Sequence, residues 1–228
     1  MNKLSSTPPI IPTFLWDEID TVLLDMDGTL LDSYFDDYFW EEYVPRNFAE
    51  VNNISPEEAR KTLLSRYRSV EKTLQWADLD FWSEQLGLDI PELKCKIDHL
   101  IQVHPYVIDF LKFITSQDKQ LHLVTAAHSK TLKLKLGKTA IGPYFDRIIP
   151  AEEIGVAKES PQFWDILQQA LGFSTDRTLL VDDNSNVLQA AQHYGIEHLV
   201  YVAKPSSRRP VKYSEDFPSI VFFKDLIF

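Results

Sequence analysis

Only one cysteine, Cys95, stands in the 228 residues, so no disulfide can close within the chain and no cysteine cluster can hold a metal. Cys95 falls in a helical pattern and reads as packing. Positive charge is also short: 23 Lys and Arg against 34 Asp and Glu give a formal net charge of -11. That balance argues against a polyanionic partner such as nucleic acid or an acidic membrane surface. It leaves a small anionic substrate open, which needs only a local positive site. No apolar run approaches the ~18 residues of a membrane span, and Met1 to Pro12 lacks the apolar stretch of a leader. The six histidines show no i, i+4 metal-ligand pair. Internal repeats and low-complexity tracts are absent too. What remains is the expectation of a soluble, reducing, cytoplasmic protein of one or two domains, with 44% apolar residues for its core.

Four apolar runs bounded by breakers predict buried strands: Thr21 to Leu24, Leu121 to Val124, Thr178 to Val181, and His198 to Val202. Arg147 to Ile149 adds a fifth and Ile220 to Phe223 an edge strand. Helical patterns lie between them, which predicts an α/β fold with a doubly wound parallel sheet. One helix is marked at both ends, by Ser160 and Pro161 at its start and Gly172 at its close. About ninety residues separate the first two strands, far more than one crossover needs. They read as a helix from Tyr34 to Pro45, a second from the capping box Ser55-Pro56-Glu57-Glu58 to Leu74, a short one over Phe81 to Leu86, and a last one from Pro91 to Val103. Residues 33–104 are therefore expected to form an inserted helical domain, with 1–32 and 105–228 forming the core. The chain would cross between them at Leu31 to Ser33 and at Val103 to Pro105.

The strand ends carry the reactive groups. Asp25-Met26-Asp27-Gly28-Thr29 follows the first strand directly. Residues i and i+2 of an extended chain share a side, and Gly28 permits a sharp turn. Asp25 and Asp27 then face one crevice at the carboxyl edge of the sheet, where such folds bind ligands. Thr125 ends the second strand and Asp182-Asp183 the fourth, while Lys158 precedes the helix at Ser160. Four carboxylates against one ammonium call for a cation, and an oxygen donor set suits Mg²⁺. A carboxylate attacking a phosphate dianion meets about 4 kcal/mol of repulsion per unit-charge pair at 4 Å and an effective dielectric of 20, roughly 8 kcal/mol in all. A divalent ion together with Lys158 offsets most of it. The set fits metal-assisted phosphoryl transfer through an aspartyl-phosphate. A calcium loop starting at Asp25 fails, because its sixth and twelfth positions are Leu30 and Asp36 where Gly and Glu are required. Taken singly, Asp182-Asp183-Asn184 is also a capping turn, Thr125 an ordinary strand end and Lys158 a surface lysine. Their order and spacing give them weight.

In that order, Asp25-Met26-Asp27-Gly28-Thr29, Thr125, Lys158 and Asp182-Asp183 resemble the four motifs of the haloacid dehalogenase superfamily of phosphatases, and the helical insertion resembles that family's type-1 cap. Asp20 to Asp32, Tyr38-Phe39-Trp40 and Asp80 to Asp89 are similar to the bacterial GMP/IMP 5'-nucleotidases within it. The resemblance implies a 5'-nucleotidase acting on purine monophosphates. Asp25 would be the nucleophile, and Asp27 the acid that protonates the leaving ribose oxygen and then the base that activates water. Thr125 and Lys158 would hold phosphate oxygens. Mg²⁺ would sit on Asp25, the backbone carbonyl of Asp27, and Asp183, with Asp182 adjacent. One position departs from the pattern: many relatives carry Asn or Gly after Thr125, whereas this chain has Ala126.

Phe35, Tyr38, Phe39, Trp40, Tyr43 and Trp76 are expected mostly to fill the insertion's core, with one or two facing substrate. Arg46, Arg60, Arg66 and Arg68 read as a solvated helix face. Four other readings stand beside the nucleotidase. A sugar-phosphate phosphatase or mutase would share the same core. A receiver-like phospho-accepting module would carry its acidic pair early and its acceptor aspartate later, the reverse of this order. A binding module without turnover sits badly with intact Asp25 and Asp27. A dehalogenase has no leaving alkoxide to protonate and no use for Asp27.

Overall fold

The computed structural model describes residues 9–227; the expected lack of a leader falls, for residues 1–8, outside the described residues. Along the chain come β1 (Thr21–Leu24) and then five helices, α1 (Tyr34–Tyr38), α2 (Val44–Asn52), α3 (Pro56–Ser69), α4 (Leu79–Leu86) and α5 (Ile90–Lys96). The rest alternates: α6 (Val107–Ser116), β2 (Gln120–Thr125), α7 (Ser129–Thr139), β3 (Arg147–Pro150), α8 (Ala151–Ile154), α9 (Pro161–Leu171), β4 (Thr178–Asp182), α10 (Ser185–Tyr194), β5 (His198–Val202) and β6 (Ser219–Ile220). All strand pairs are parallel, in the order β3-β2-β1-β4-β5-β6. This is the doubly wound sheet expected, with its switch point beside β1.

Side-chain alternation along β1 divides the core. Val22 and Leu24 face Phe110, Leu111 and Ile114 of α6, while Leu23 faces Phe163, Trp164 and Leu167 of α9 and Val187 and Leu188 of α10. Both faces are covered, which is why the strand reads as an unbroken apolar run. The expected edge strand over Ile220 to Phe223 is shorter and earlier. The Asp225 carboxylate accepts from the N–H groups of Val221 and Phe222, which draws the backbone out of the ladder and into a 3₁₀ turn over Phe223–Leu226.

The five helices after β1 surround a separate core that includes Phe35, Phe39, Val44, Leu63, Tyr67, Trp82 and Leu86. The helix expected to stop at Pro45 continues to Asn52. Proline cannot donate to the carbonyl of Glu41, and its ring crowds that carbonyl. A wider π turn over Phe39–Tyr43 takes up the ring. Arg60, expected on a solvated face, donates from Nε and Nη2 to the orphaned Glu41 carbonyl at 3.0 and 2.9 Å. The third helix ends at Ser69 rather than Leu74, and Lys72 just beyond has φ of 63°. The last ends at Lys96 rather than Val103, because Val103 is extended and bridges antiparallel to Leu31. Cys95 is exposed and does not pack as expected. Among the described residues no helix is long and apolar enough to cross a membrane.

Candidate active site

Asp25 leaves β1 still in register, its N–H donating to the Val181 carbonyl of β4 at 3.0 Å. Met26 is fully buried in the core, so Asp25 and Asp27 turn the other way. The loop then closes tightly. Leu30 and Leu31 both donate to the Met26 carbonyl, at 2.9 and 2.8 Å, and Gly28 donates to Leu31 at 2.8 Å. Gly28 has φ of 85°, and a Cβ there would lie 2.7 Å from Cγ of Asp183. The position needs glycine for its backbone and again for the close approach of that carboxylate.

Lys158, 2% exposed, spends its three protons on Asp25 Oδ1 at 2.8 Å, Asp182 Oδ2 at 2.7 Å and the Val124 carbonyl at 3.0 Å. Burial opposes its charge, but Asp182 and Asp25 hold its pKa above the usual lysine value. Burial pushes the Asp25 carboxyl up to about 6, with Lys158 opposing and Asp182 adding. Asp182 is raised by burial as well, with Lys158 pulling the other way. Its second oxygen, Oδ1, accepts from the Asn184 N–H at 2.8 Å. Asp183 is raised well above the usual range by burial and then by the charges of Asp25 and Asp182. The Thr125 hydroxyl accepts from the Ala127 N–H at 3.0 Å, which leaves its own proton free to donate.

Asp25, Asp182 and Asp183 each offer one carboxylate oxygen, all within 4.8 Å of one another. No hydrogen bond to the Asp183 carboxylate is found among the described residues. An all-oxygen set with an unpaired, strongly raised carboxylate fits a hard divalent cation. Asp25 and Asp183 have oxygens to spare for it. Both oxygens of Asp182 are engaged, so its first task here is to hold Lys158.

All six residues singled out from sequence, Asp25, Asp27, Thr125, Lys158, Asp182 and Asp183, line one cavity of about 140 Å³. Asp27, Ala126 and Ala127 also line a second cavity of about 490 Å³. The rest of that wall comes largely from the insertion and includes Trp40, Tyr67, Arg68 and Trp76. Trp76, at 40% exposure, lines this cavity and is one of the few aromatics singled out in the insertion that lie outside its core, which was expected to hold most of them. Arg68 lies on the cavity, whereas Arg66 donates to the Gln85 carbonyl and Arg46 pairs with Glu42 on the surface.

Three residues of the site were not anticipated. Lys135 of α7, 1% exposed, donates to Asp27 Oδ1 and to Asp36 Oδ2 of α1, each at 2.5 Å. Lys94 of α5 donates to Asp36 Oδ1 at 2.7 Å. Burial raises the Asp27 carboxyl to about 6 against the pull of Lys135. Burial also acts on Asp36, but Lys135 and Lys94 outweigh it and hold that carboxyl well below the usual range. Four carboxylates against one lysine was thus an incomplete count, since Asp27 has a cation of its own. The available signal was positional. Lys135 follows the buried Thr131 and Leu132 at helical spacing, and Lys94 sits among Ile90, Leu93 and Ile97.

Strand ends bearing Asp, Thr and paired Asp around a buried lysine, on a doubly wound sheet, define a hydrolase of known type. The chain belongs to the haloacid dehalogenase-like hydrolases, whose family profile matches residues 19–195, and it is a phosphoric monoester hydrolase of that family. It is 37% identical over 212 residues, 93% of this chain and 96% of the other, to the GMP/IMP nucleotidase YrfG of Escherichia coli. The pyrophosphatase PpaX of Oceanobacillus iheyensis is 26% identical over 184 residues, 78% of this chain and 81% of its own. Among solved structures, a HAD phosphatase from Thermococcus onnurineus superposes with a TM-score of 0.76 at 24% identity, covering 91% of this chain and 96% of that one.

Proposed function

We propose that this enzyme is a Mg²⁺-dependent 5'-nucleotidase acting on purine nucleoside monophosphates such as GMP and IMP through an aspartyl-phosphate. The observation that carries the reading is that Asp27 lines both cavities. The smaller one suits a phosphoryl group, and the larger falls within the usual range for small-molecule sites. An acid at their junction sits where the oxygen between phosphorus and leaving group must lie.

In the first step Asp25 attacks phosphorus and the phosphorus–ribose oxygen bond breaks. Asp27 gives its proton to the departing 5' oxygen. In the second step Asp27, now a carboxylate, takes a proton from the water that attacks phosphorus. The bond to Asp25 breaks, and inorganic phosphate leaves with Asp27 protonated again. Lys158 balances the charge of Asp25 throughout, and Thr125 donates to a phosphate oxygen. Asp25, Asp183 and the backbone carbonyl of Asp27 would hold the metal, with Asp182 beside them fixing Lys158. Mg²⁺ supplies charge neutralisation for the phosphate oxygens.

The insertion, residues 33–104, acts as the cap over this site and brings the aromatic wall of the larger cavity. Trp40, Tyr67 and Trp76 offer ring surface to a base, with roughly 1–3 kcal/mol available per stacked base. That wall, and the 37% identity to a nucleotidase, favour a nucleotide over a sugar phosphate.

The test is phosphate release from GMP, IMP, pyrimidine monophosphates and sugar phosphates, with Mg²⁺ and with chelator, for wild type and Asp25→Asn. Fast Mg²⁺-dependent release from GMP or IMP, lost in the variant, is the expected result. Release confined to sugar phosphates would keep the chemistry and discard the nucleotide. A long-lived phosphorylated Asp25 without release would point to a receiver-like role.

A further inference from the structure

The acid of the mechanism above is held by a lysine that the insertion itself anchors. We propose that Lys135 is a positioning residue for Asp27, and that Asp36 fixes Lys135, so that the acid is aimed at the leaving oxygen only while the insertion is seated on the core. This rests on the reading of Asp27 as the general acid.

The geometry forms a ladder of alternating charge. Asp27 lies on the loop after β1, Lys135 on α7 of the core, Asp36 on α1 and Lys94 on α5 of the insertion. Consecutive members meet at 2.5, 2.5 and 2.7 Å. Asp27 and Asp36 are the hydrogen-bond partners of the Lys135 ammonium among the described residues, and it lies 5.2 Å from the ring centre of Phe35, also on the insertion. Lys94 fixes Asp36 from behind and rests over Phe39 and Phe35 at 4.6 and 4.9 Å. A fully buried lysine is rare unless it is paired. An apolar residue at position 135 would pack that helix face as well, so the charge calls for a reason beyond packing.

Comparison with the nucleophile gives that reason. Asp25 also has a buried lysine, but Lys158 is anchored entirely within the core, on Asp182 and the Val124 carbonyl. The nucleophile is therefore set whatever the insertion does. Lys135 has one anchor on each side of the seam. If the insertion lifts, it loses Asp36 and Phe35 together and keeps only Asp27, and the acid loses its fixed reference. Asp36, Lys94 and Phe35 act through Lys135 and need not touch the substrate.

General acid catalysis matters most for a poor leaving group, so leaving-group dependence reads the aim of Asp27 directly. The experiment compares kcat/KM for phenyl phosphate and for p-nitrophenyl phosphate, whose phenolate leaves readily. The enzymes are wild type, Lys135→Met, Asp36→Asn and Asp27→Asn. Lys135→Met is expected to lose roughly tenfold or more in excess on phenyl phosphate over p-nitrophenyl phosphate. Asp36→Asn should shift the same way by less, and Asp27→Asn should set the upper limit. Both probes are independent of the nucleobase, so failure on GMP would not affect the outcome. Equal losses on both probes in Lys135→Met and Asp36→Asn, or no loss, would overturn the proposal. If Lys135→Met does not fold, as judged by its unfolding transition, the isosteric Asp36→Asn decides alone. An Asp27→Asn enzyme with wild-type leaving-group dependence would remove the acid itself, and this proposal with it.

Discussion

His122 lies buried in β2, and neither of its ring nitrogens has a hydrogen-bond partner among the described residues. Burial holds its pKa below the usual histidine value, with Asp146 opposing. The folded protein therefore keeps it neutral, while the unfolded chain takes a proton below about pH 6.5. Where the unfolded state binds more protons, stability rises with pH, so this residue's cost appears as pH falls below that value. His122→Leu should stabilise the protein by about 1–2 kcal/mol at pH 7, by removing two desolvated polar atoms. The gap between variant and wild type should widen toward pH 5.5 in urea titrations. Gly28 is the opposite case, a position where any side chain does harm. Gly28→Ala places a Cβ against Asp183 at a left-handed φ and should lower kcat by about 10²-fold through displaced site groups. Steady-state kinetics beside an unfolding curve would separate that from simple loss of fold. Most of the site could be read from the sequence because Asp25, Asp27, Thr125 and Asp182-Asp183 are polar residues ending apolar strands, a conspicuous place for them. Lys135 and Lys94 escaped because a lysine at an apolar-face position looks like a snorkelling surface residue until its partner is seen across the seam.

Strands were the more legible elements, and the reason is burial on both faces. β1, β4 and β5 are bounded where apolar runs meet breakers, and each coincides with its expected span to within a residue. The errors came where a local signal was outvoted by a partner distant in sequence. Pro45 signals a stop, but the π turn before it and Arg60 from α3 let the helix continue. No one-dimensional pattern announces a guanidinium arriving from nineteen positions away. The arrangement is testable as a cycle. Arg60→Ala should cost about 1 kcal/mol, because the Glu41 carbonyl loses both donors. Pro45→Ala restores an N–H to the same carbonyl, so Arg60→Ala should cost markedly less in that background. Additive losses in denaturant unfolding would show that Arg60 contributes only surface charge.

Insertion and core are joined by two short crossings that pair with each other. The backbone N–H of Asp32 donates to the Gln102 carbonyl and that of His104 to the Leu30 carbonyl, each at 2.9 Å, and Asp32 Oδ1 accepts from the backbone N–H of Ser207 on the core at 2.9 Å. The two crossings meet in an isolated antiparallel bridge between Leu31 and Val103. Away from these crossings the seam carries the Lys135–Asp36 pair, Lys130 of α7 on Asp80 of α4, and Lys72 on Asn186. All three are polar; the Lys130–Asp80 and Lys72–Asn186 contacts are exposed, of the kind that part and reform in water, whereas the Lys135–Asp36 pair is largely buried. Under the proposed mechanism a nucleotide would need the seam to open for entry and to close around the leaving group in the first step. Asp80→Cys and Lys130→Cys, in a Cys95→Ser background, joined by a reducible crosslinker would hold the two parts together at a pair that lines neither site cavity. Turnover of GMP should fall at least about tenfold on crosslinking, if opening contributes to the cycle as lids commonly do, and return on reduction. A crosslinked enzyme with full activity would mean that substrate reaches Asp25 through the existing mouth of the larger cavity, and that the two crossings are only linkers.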